Sequence, residues 1–407
     1  MGNGMATPAL PHDLPDGDIH MEIGGNALHV IEKGPHLRAA LIDLIDGAQH
    51  SLKLYYYIFA ADASGHAVRD RLIAALARGV AVTLMIDAFG SGSTPRSFFD
   101  PLTDAGAQFA LFGARRSTRY LIRNHQKMAI ADDRRLLLGG FNVEDGYFDG
   151  KSADRWIDLG LLIEGEEVET MVSWYGQLWR WTATKKQRIR TLRAMIRGWQ
   201  PAPHHHSSHE DSSAFRWLIG GPTQRLSPWA KVVKHDLEQA RRLDMVAAYF
   251  SPGRGMLKRL ARAARRTGAR IILPSRSDNG TTVAAARLLY GPLLRRGVEI
   301  REYQPARLHM KLIVIDDAVY IGSANFDMRS LFINLEIMLR IEDADFAAAM
   351  RPLVDRLAEQ SRRITPDLYL AHRSVPTLVK QWISYLLVGV LDYTITRRLN
   401  FRLPDPD

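Results

Sequence analysis

At 407 residues, 46% hydrophobic and 24% charged, the chain has a globular composition and is long enough for two domains with separate cores. It contains no cysteine, which excludes disulfides, thiolate metal sites and cysteine nucleophiles. A formal charge of +10 favours a polyanionic partner, either an anionic membrane or a nucleic acid.

In chain order, residues 1–20 lack a cationic stretch followed by an apolar run and read as a loosely ordered tail rather than a secretory signal. A first unit spans 21–200. It holds a helix at 38–49, a β-rich run ending in an aromatic at 51–59, an amphipathic helix and strand at 67–87, and a further strand at 105–112. The Pro/His/Ser stretch 201–214 has no period and reads as a linker. Its His204, His205, His206 and His209 are better taken as an exposed loop than as a metal site. A second unit at 215–365 repeats the order: helix at 230–242, β-run at 243–252, helix and strand at 255–274, strand at 296–303. Strands alternating with helices predict α/β lobes with mainly parallel or mixed sheets. Duplicated lobes pack about a pseudo-two-fold axis, which would bring two homologous sites together at the lobe interface.

Three segments suggest contact with a charged surface. Residues 174–199 combine Trp174, Trp179, Trp181 and Trp199 with Arg180, Lys185, Lys186, Arg188, Arg190, Arg193 and Arg197, and contain no acid. Tryptophan beside arginine suits a lipid headgroup layer; the alternative is a basic helix that covers the sheet with its tryptophans in the core. The C-terminal part, 366–407, contains an apolar run at 379–393 that is too short to span a bilayer. It fits an in-plane anchor or a core helix, with Arg397, Arg398 and Arg402 beyond it. Arg115, Arg116, Arg119 and Arg123 either guide an anionic substrate or belong to a solvated loop.

The pattern H-x-K-x-x-x-x-D occurs once in each unit. His125, Lys127 and Asp132 are followed by Gly139-Gly140-Phe141-Asn142; His309, Lys311 and Asp316 are followed by Gly322-Ser323-Ala324-Asn325. On a strand, His and Lys two apart share one face, with Met128 and Ile130, or Met310, Leu312 and Val314, on the core side. Lysine can neutralise non-bridging phosphate oxygens while histidine reaches phosphorus or the leaving oxygen. Asn142 and Asn325 can donate to the same oxygens, and the small Gly139, Gly140, Gly322 and Ser323 permit close approach. Asp132 and Asp316 complete the catalytic motif, in the expected role of bracing its loop rather than moving protons. Aligning the strands after each motif makes Asp158 and Glu336 counterparts, placed to orient the histidines and fix their tautomers.

These motifs, with the segments around "GSANFDMRSLFINLE", "LHMKLIVID", "GGFNVEDGYF" and "WIDLGLLIEG", resemble the phospholipase D superfamily and, within it, bacterial cardiolipin synthases. The likeness covers roughly residues 25–359. "GGFN" departs from the commoner "GSxN", and the chain resembles the shorter, peripheral forms without an N-terminal transmembrane pair. The resemblance implies two homologous phospholipase D-like α/β lobes and phosphatidyl transfer without cofactor or metal, through a phosphohistidine. It implies His125 as nucleophile and His309 as acid and base; symmetry alone permits the reverse. It also implies phospholipid substrates, with phosphatidylglycerol as donor, an anionic membrane surface as partner rather than nucleic acid, and a peripheral position on the cytoplasmic face of a bacterial inner membrane. The alternatives are a phospholipase D hydrolase and a nuclease built on the same paired motif.

Overall fold

A computed structural model describes residues 18–113, 122–149, 152, 154–184, 187–199, 214–222 and 226–391. The linker histidines, Arg115, Arg116, Arg119, Lys185, Lys186, Arg397, Arg398 and Arg402 lie outside the described residues. Ile19 and His20, assigned to the tail from sequence, open an edge strand, Ile19–Ile23, paired antiparallel with Asn26–Ile31.

Each unit builds an eight-stranded mixed sheet. The first runs Ile19–Ile23, Asn26–Ile31, Gly160–Glu164, Arg135–Gly139, Met128–Ala131, Ser51–Tyr56, Ala81–Asp87, Gln108–Phe112. The second runs Phe215–Gly220, Glu336–Glu342, Ala318–Gly322, Lys311–Ile315, Leu243–Ala247, Ala269–Pro274, Val298–Tyr303, Ser361–Ile364. From Asn26–Ile31 and Phe215–Gly220 onward seven strands follow the same order in both, and the second sheet adds Ser361–Ile364 at its far edge. In each, three parallel strands joined by helical crossovers adjoin an antiparallel set carrying the motif. This is the duplicated α/β architecture expected from the repeat.

Side-chain alternation sorts the apolar residues into three cores. Leu52, Leu54, Tyr56, Ala129 and Ala131 pack under the helices Gly34–Asp46 and Ala63–Ala77, on the outer face of the first sheet. Leu243, Met245, Ile313 and Ile315 pack under Pro228–Gln239 and Arg254–Thr267 on the outer face of the second. The opposite faces, with Met128, Ile130, Leu136 and Leu138 from one sheet and Leu312, Val314, Val319 and Ile321 from the other, meet in one shared core. The strands after the motifs therefore bury both faces, which explains their near-continuous apolar sequence.

The tryptophan-rich segment belongs to that shared core. Helix Val168–Ala183 buries Trp174 completely, and its indole N–H donates to Gln126 Oε1 at 3.0 Å. Trp179, Trp181 and Trp199 are partly buried against the same core, and the Trp181 indole donates to the Arg188 carbonyl. The membrane-facing reading of this segment gives way to its alternative: the tryptophans turn toward the core, while Arg180, Arg188, Arg190 and Arg197 are exposed and Arg193 is half-buried.

Candidate active site

Both histidines stand just before their strands rather than within them, which begin at Met128 and Lys311. Main-chain pairing across the lobe boundary fixes them. The His125 N–H donates to the Leu335 carbonyl at 2.8 Å, and Leu335 donates back to Arg123. In the symmetric position the His309 N–H donates to the Ile157 carbonyl at 2.7 Å, where Arg307–Leu308 pairs in parallel with Trp156–Ile157. Each motif is thus docked on the residue that precedes the other lobe's carboxylate.

The histidine–carboxylate pairs are consequently crossed. Glu336 Oε2 lies 3.2 Å from His125 Nδ1, and Asp158 Oδ2 lies 2.6 Å from His309 Nδ1. His125 Nδ1 also faces the Ser323 carbonyl at 3.1 Å. Both neighbours of that nitrogen are acceptors, so it carries the hydrogen and Nε2 presents its lone pair. Lys127 Nζ donates to the His125 carbonyl at 2.6 Å, while Lys311 Nζ donates to the His309 carbonyl and sits 2.6 Å from His309 Nδ1 and 3.1 Å from its Nε2.

All six groups are buried, and the charges of Lys127 and Lys311 act on both imidazoles. Burial first, then the adjacent lysine, pushes His125 down to about 4 and His309 down to about 3. Burial likewise lowers both ammonium groups, Lys311 to about 8. Burial would raise the two carboxyls, but the neighbouring cationic groups and hydrogen bonds bring both below their ordinary range. A pocket of this kind suits an anion that neutralises the lysines and restores proton affinity to an imidazole.

The two halves differ in how their carboxylates are held. Glu336 accepts from Ser323 Oγ at 2.6 Å and from Ser330 Oγ at 2.7 Å. Ser323 is thus a hydrogen-bonding support and not merely a small residue. At the equivalent position Gly140 leaves room for Asp158: a Cβ there would lie 2.6 and 2.7 Å from the carboxylate oxygens. Asp158 also accepts from the Leu159 N–H at 2.8 Å.

Asp132 and Asp316 do not reach the histidines. Each follows its strand with positive φ, 51° and 50°. Asp132 accepts from the N–H groups of Gln49, His50 and Ser51, and Asp316 from those of Arg241 and Arg242. They tie the motif turn to the start of the neighbouring strand. Asn142 accepts from the Ile58 N–H and donates to the Tyr147 hydroxyl at 3.2 Å. Asn325 is buried, and its Oδ1 has no hydrogen-bond partner among the described residues.

Sequence reasoning missed an aromatic lining. Tyr57 packs edge-on against His125, with ring centroids 4.9 Å apart; its counterpart Tyr249 stands 6.0 Å from His309. Tyr147 and Trp156 complete the wall around His309 at 5.4 and 5.2 Å. The available signal was the aromatic closing each β-run after the opening helix, which recurs in both lobes.

Comparison with known proteins agrees with this architecture. The family described as "Cardiolipin synthase, PLD-like domain" matches residues 41–179 and 233–358. The chain is 30% identical over 354 residues to cardiolipin synthase A of Pseudomonas putida (strain W619), covering 85% of this chain and 71% of the relative. It is 29% identical over 405 residues to the cardiolipin synthase of Geobacillus thermodenitrificans (strain NG80-2), covering 94% and 77%. Among solved structures, phosphatidylserine synthase from Haemophilus influenzae Rd KW20 superposes with a TM-score of 0.72 at 14% identity, over 92% of this chain and 95% of that one. The chain therefore belongs to the phospholipase D-like family of cardiolipin synthases, enzymes of the phosphatidyltransferase type.

Proposed function

We propose that this chain transfers the phosphatidyl group of phosphatidylglycerol to the hydroxyl of a second phospholipid headgroup. His125 Nε2 attacks phosphorus, the bond from phosphorus to the glycerol oxygen breaks, and His309 delivers a proton to that oxygen. The acceptor hydroxyl then gives its proton to neutral His309, its oxygen attacks phosphorus, and His125 is released. Two phosphatidylglycerol molecules would thereby yield cardiolipin and free glycerol.

The observation that carries this reading is the reciprocal pairing of each histidine with the other lobe's carboxylate. Two imidazoles held through Nδ1 leave two Nε2 atoms for one phosphodiester. The two acceptors around His125 Nδ1 favour a free lone pair on its Nε2 and hence the nucleophile's role; His309, paired with Asp158, takes the acid role once the phosphodiester neutralises the lysines and restores proton affinity to its imidazole. Lys127 and Lys311 would neutralise the non-bridging oxygens, each donor contributing ~3 kcal/mol by analogy with oxyanion-hole deletions. Asn142 and Asn325 would add neutral donors once Asn142 leaves the Tyr147 hydroxyl. Asp158 and Glu336 orient the rings, and Asp132 and Asp316 brace the motif turns.

Such a substrate resides in a bilayer, and the charge of +10 suits an anionic surface approached from one side. No described helix is long and apolar enough to cross a membrane, which is compatible with a peripheral position. Mass spectrometry of lipids after incubation with phosphatidylglycerol vesicles tests the proposal. Cardiolipin with an equal yield of glycerol, both abolished by His125→Ala, is the expected result. Phosphatidic acid without cardiolipin would make the protein a hydrolase, and nucleotides released from DNA without lipid product would make it a nuclease.

A further inference from the structure

The C-terminal helix Val375–Tyr385 leaves most of its apolar side chains outside. Its protein-facing side buries the polar Gln381 and Ser384, beside half-buried Thr377, Leu378 and Tyr385. Its exposed face carries Val375, Val379, Trp382 and Ile383, continued by Leu387 in the following π-helical turn. Val375 is 75% and Trp382 57% exposed. An amphipathic helix on a water-soluble surface ordinarily turns its apolar stripe inward. Of the large hydrophobic side chains exposed among the described residues, all but Phe89 lie between Leu370 and Leu387. They form a patch rather than scattered singletons.

The patch is flanked by positive charge. Between 361 and 391 the exposed cations Arg362, Arg363, Arg373 and Lys380 stand against one acid, Asp367. A chain of contacts also links its helix to the active site. Helix Val375–Tyr385 packs on helix Gly280–Leu288, just before which Asp278 accepts a 3.1 Å hydrogen bond from the Tyr249 hydroxyl. The Tyr249 ring in turn faces His309.

From these observations we infer that the exposed apolar face of Val375–Leu387 docks in the acyl boundary of an anionic bilayer and sets the active-site mouth against the headgroups. Apolar side chains rimmed by cations fit an anionic lipid surface, since burial and headgroup attraction act together. The inference rests on the reading that the substrate is a phospholipid. It also relocates membrane contact from the tryptophan-rich helix to a segment that sequence left open between anchor and core.

Co-sedimentation of the full chain with phosphatidylcholine vesicles doped with phosphatidylglycerol tests it, read without turnover. The wild type should pellet with the vesicles. The triple variant Val379→Ser, Trp382→Ser, Ile383→Ser, with an unchanged circular dichroism spectrum, should bind roughly tenfold or more weakly. Arg373→Glu with Lys380→Glu should remove the preference for doped over undoped vesicles. Triple-variant binding equal to wild type would overturn the inference, as would a wild type that ignores vesicles. A lipid-free dimer broken by the same substitutions, with vesicle binding retained, would instead assign this face to a second copy. Because binding is scored separately from product, failure of the transferase reading would show as absent cardiolipin with vesicle binding intact.

Discussion

Glu336 of the second lobe holds the imidazole of His125 in the first, with Oε2 3.2 Å from Nδ1, and the contact depends on Leu335 being main-chain bonded to the histidine itself. Neither lobe contains a complete dyad. The paired histidine–carboxylate site exists only when the sheets close on their shared core, so fold stability and site geometry are one property.

Neutralising the carboxylate should therefore damage turnover far more than substrate binding. Glu336→Gln leaves shape intact but no longer favours the reactive tautomer, and kcat should fall roughly 10²- to 10⁴-fold with KM little changed. Asp158→Asn should behave alike. Steady-state kinetics on a soluble short-chain phosphatidylglycerol would decide; a loss confined to KM would mean the carboxylates bind substrate instead.

The unequal supports of the two carboxylates predict unequal tolerance at matched positions. Gly140→Ala places a Cβ against the Asp158 oxygens and 2.9 Å from Lys311 Cδ, so it should cost about 1–3 kcal/mol of stability and most of the activity. Ser323→Ala removes one hydrogen bond from buried Glu336 and the acceptor of the Ile337 N–H, costing about 1–3 kcal/mol, and should lower turnover without introducing a clash. Denaturant titration and activity measured together check both; a fully active Gly140→Ala would contradict the packing described at Asp158.

Acid should weaken the fold through the same histidines. Their folded values, about 4 and about 3, lie below the unfolded value near 6.5, so the unfolded chain binds more protons between those limits. Their contribution to stability is complete above the unfolded value and is lost as pH falls through this window. Urea midpoints at pH 7.5 and pH 5 should differ less in His309→Gln than in the wild type. Conversely, an anionic diester should raise the proton affinity of the imidazoles. Its binding at pH 6 should take up protons, seen calorimetrically as a dependence on buffer ionisation enthalpy. Heats independent of buffer would argue against a charge-coupled pair.

Trp174 should behave as core. Trp174→Ala is expected to cost ~3–5 kcal/mol while leaving vesicle binding of the folded protein unchanged. Selective loss of vesicle binding at wild-type stability would return this helix to the membrane.

Much of this was legible because it repeats. The doubled His-Lys-Asp pattern, the order of helices and strands, and the alignment of Asp158 with Glu336 follow from residue type and spacing alone. Their crossing was not legible: it arises from main-chain bonds at Leu335 and Ile157, which no side-chain pattern encodes. Composition placed tryptophans and arginines together in one helix, but only packing decides which face turns inward, and there the tryptophans won. The C-terminal helix is the converse case. Its apolar run was readable, whereas the burial of the polar Gln381 and Ser384 against the protein was not. Ser330 and Tyr147 occupy matched positions and serve different carboxylate–histidine pairs, a divergence that hides the role of each.

The claim that two imidazoles serve one phosphorus is tested most directly by trapping the covalent intermediate. A phosphatidyl ester of p-nitrophenol has a leaving group that needs no proton, so His309→Ala should still be modified but should release the phosphatidyl group slowly. Rapid quenching and peptide mass spectrometry should then find the phosphatidyl adduct on His125, and no adduct in His125→Ala. An adduct on His309, or steady turnover by His125→Ala with no adduct at all, would contradict the account.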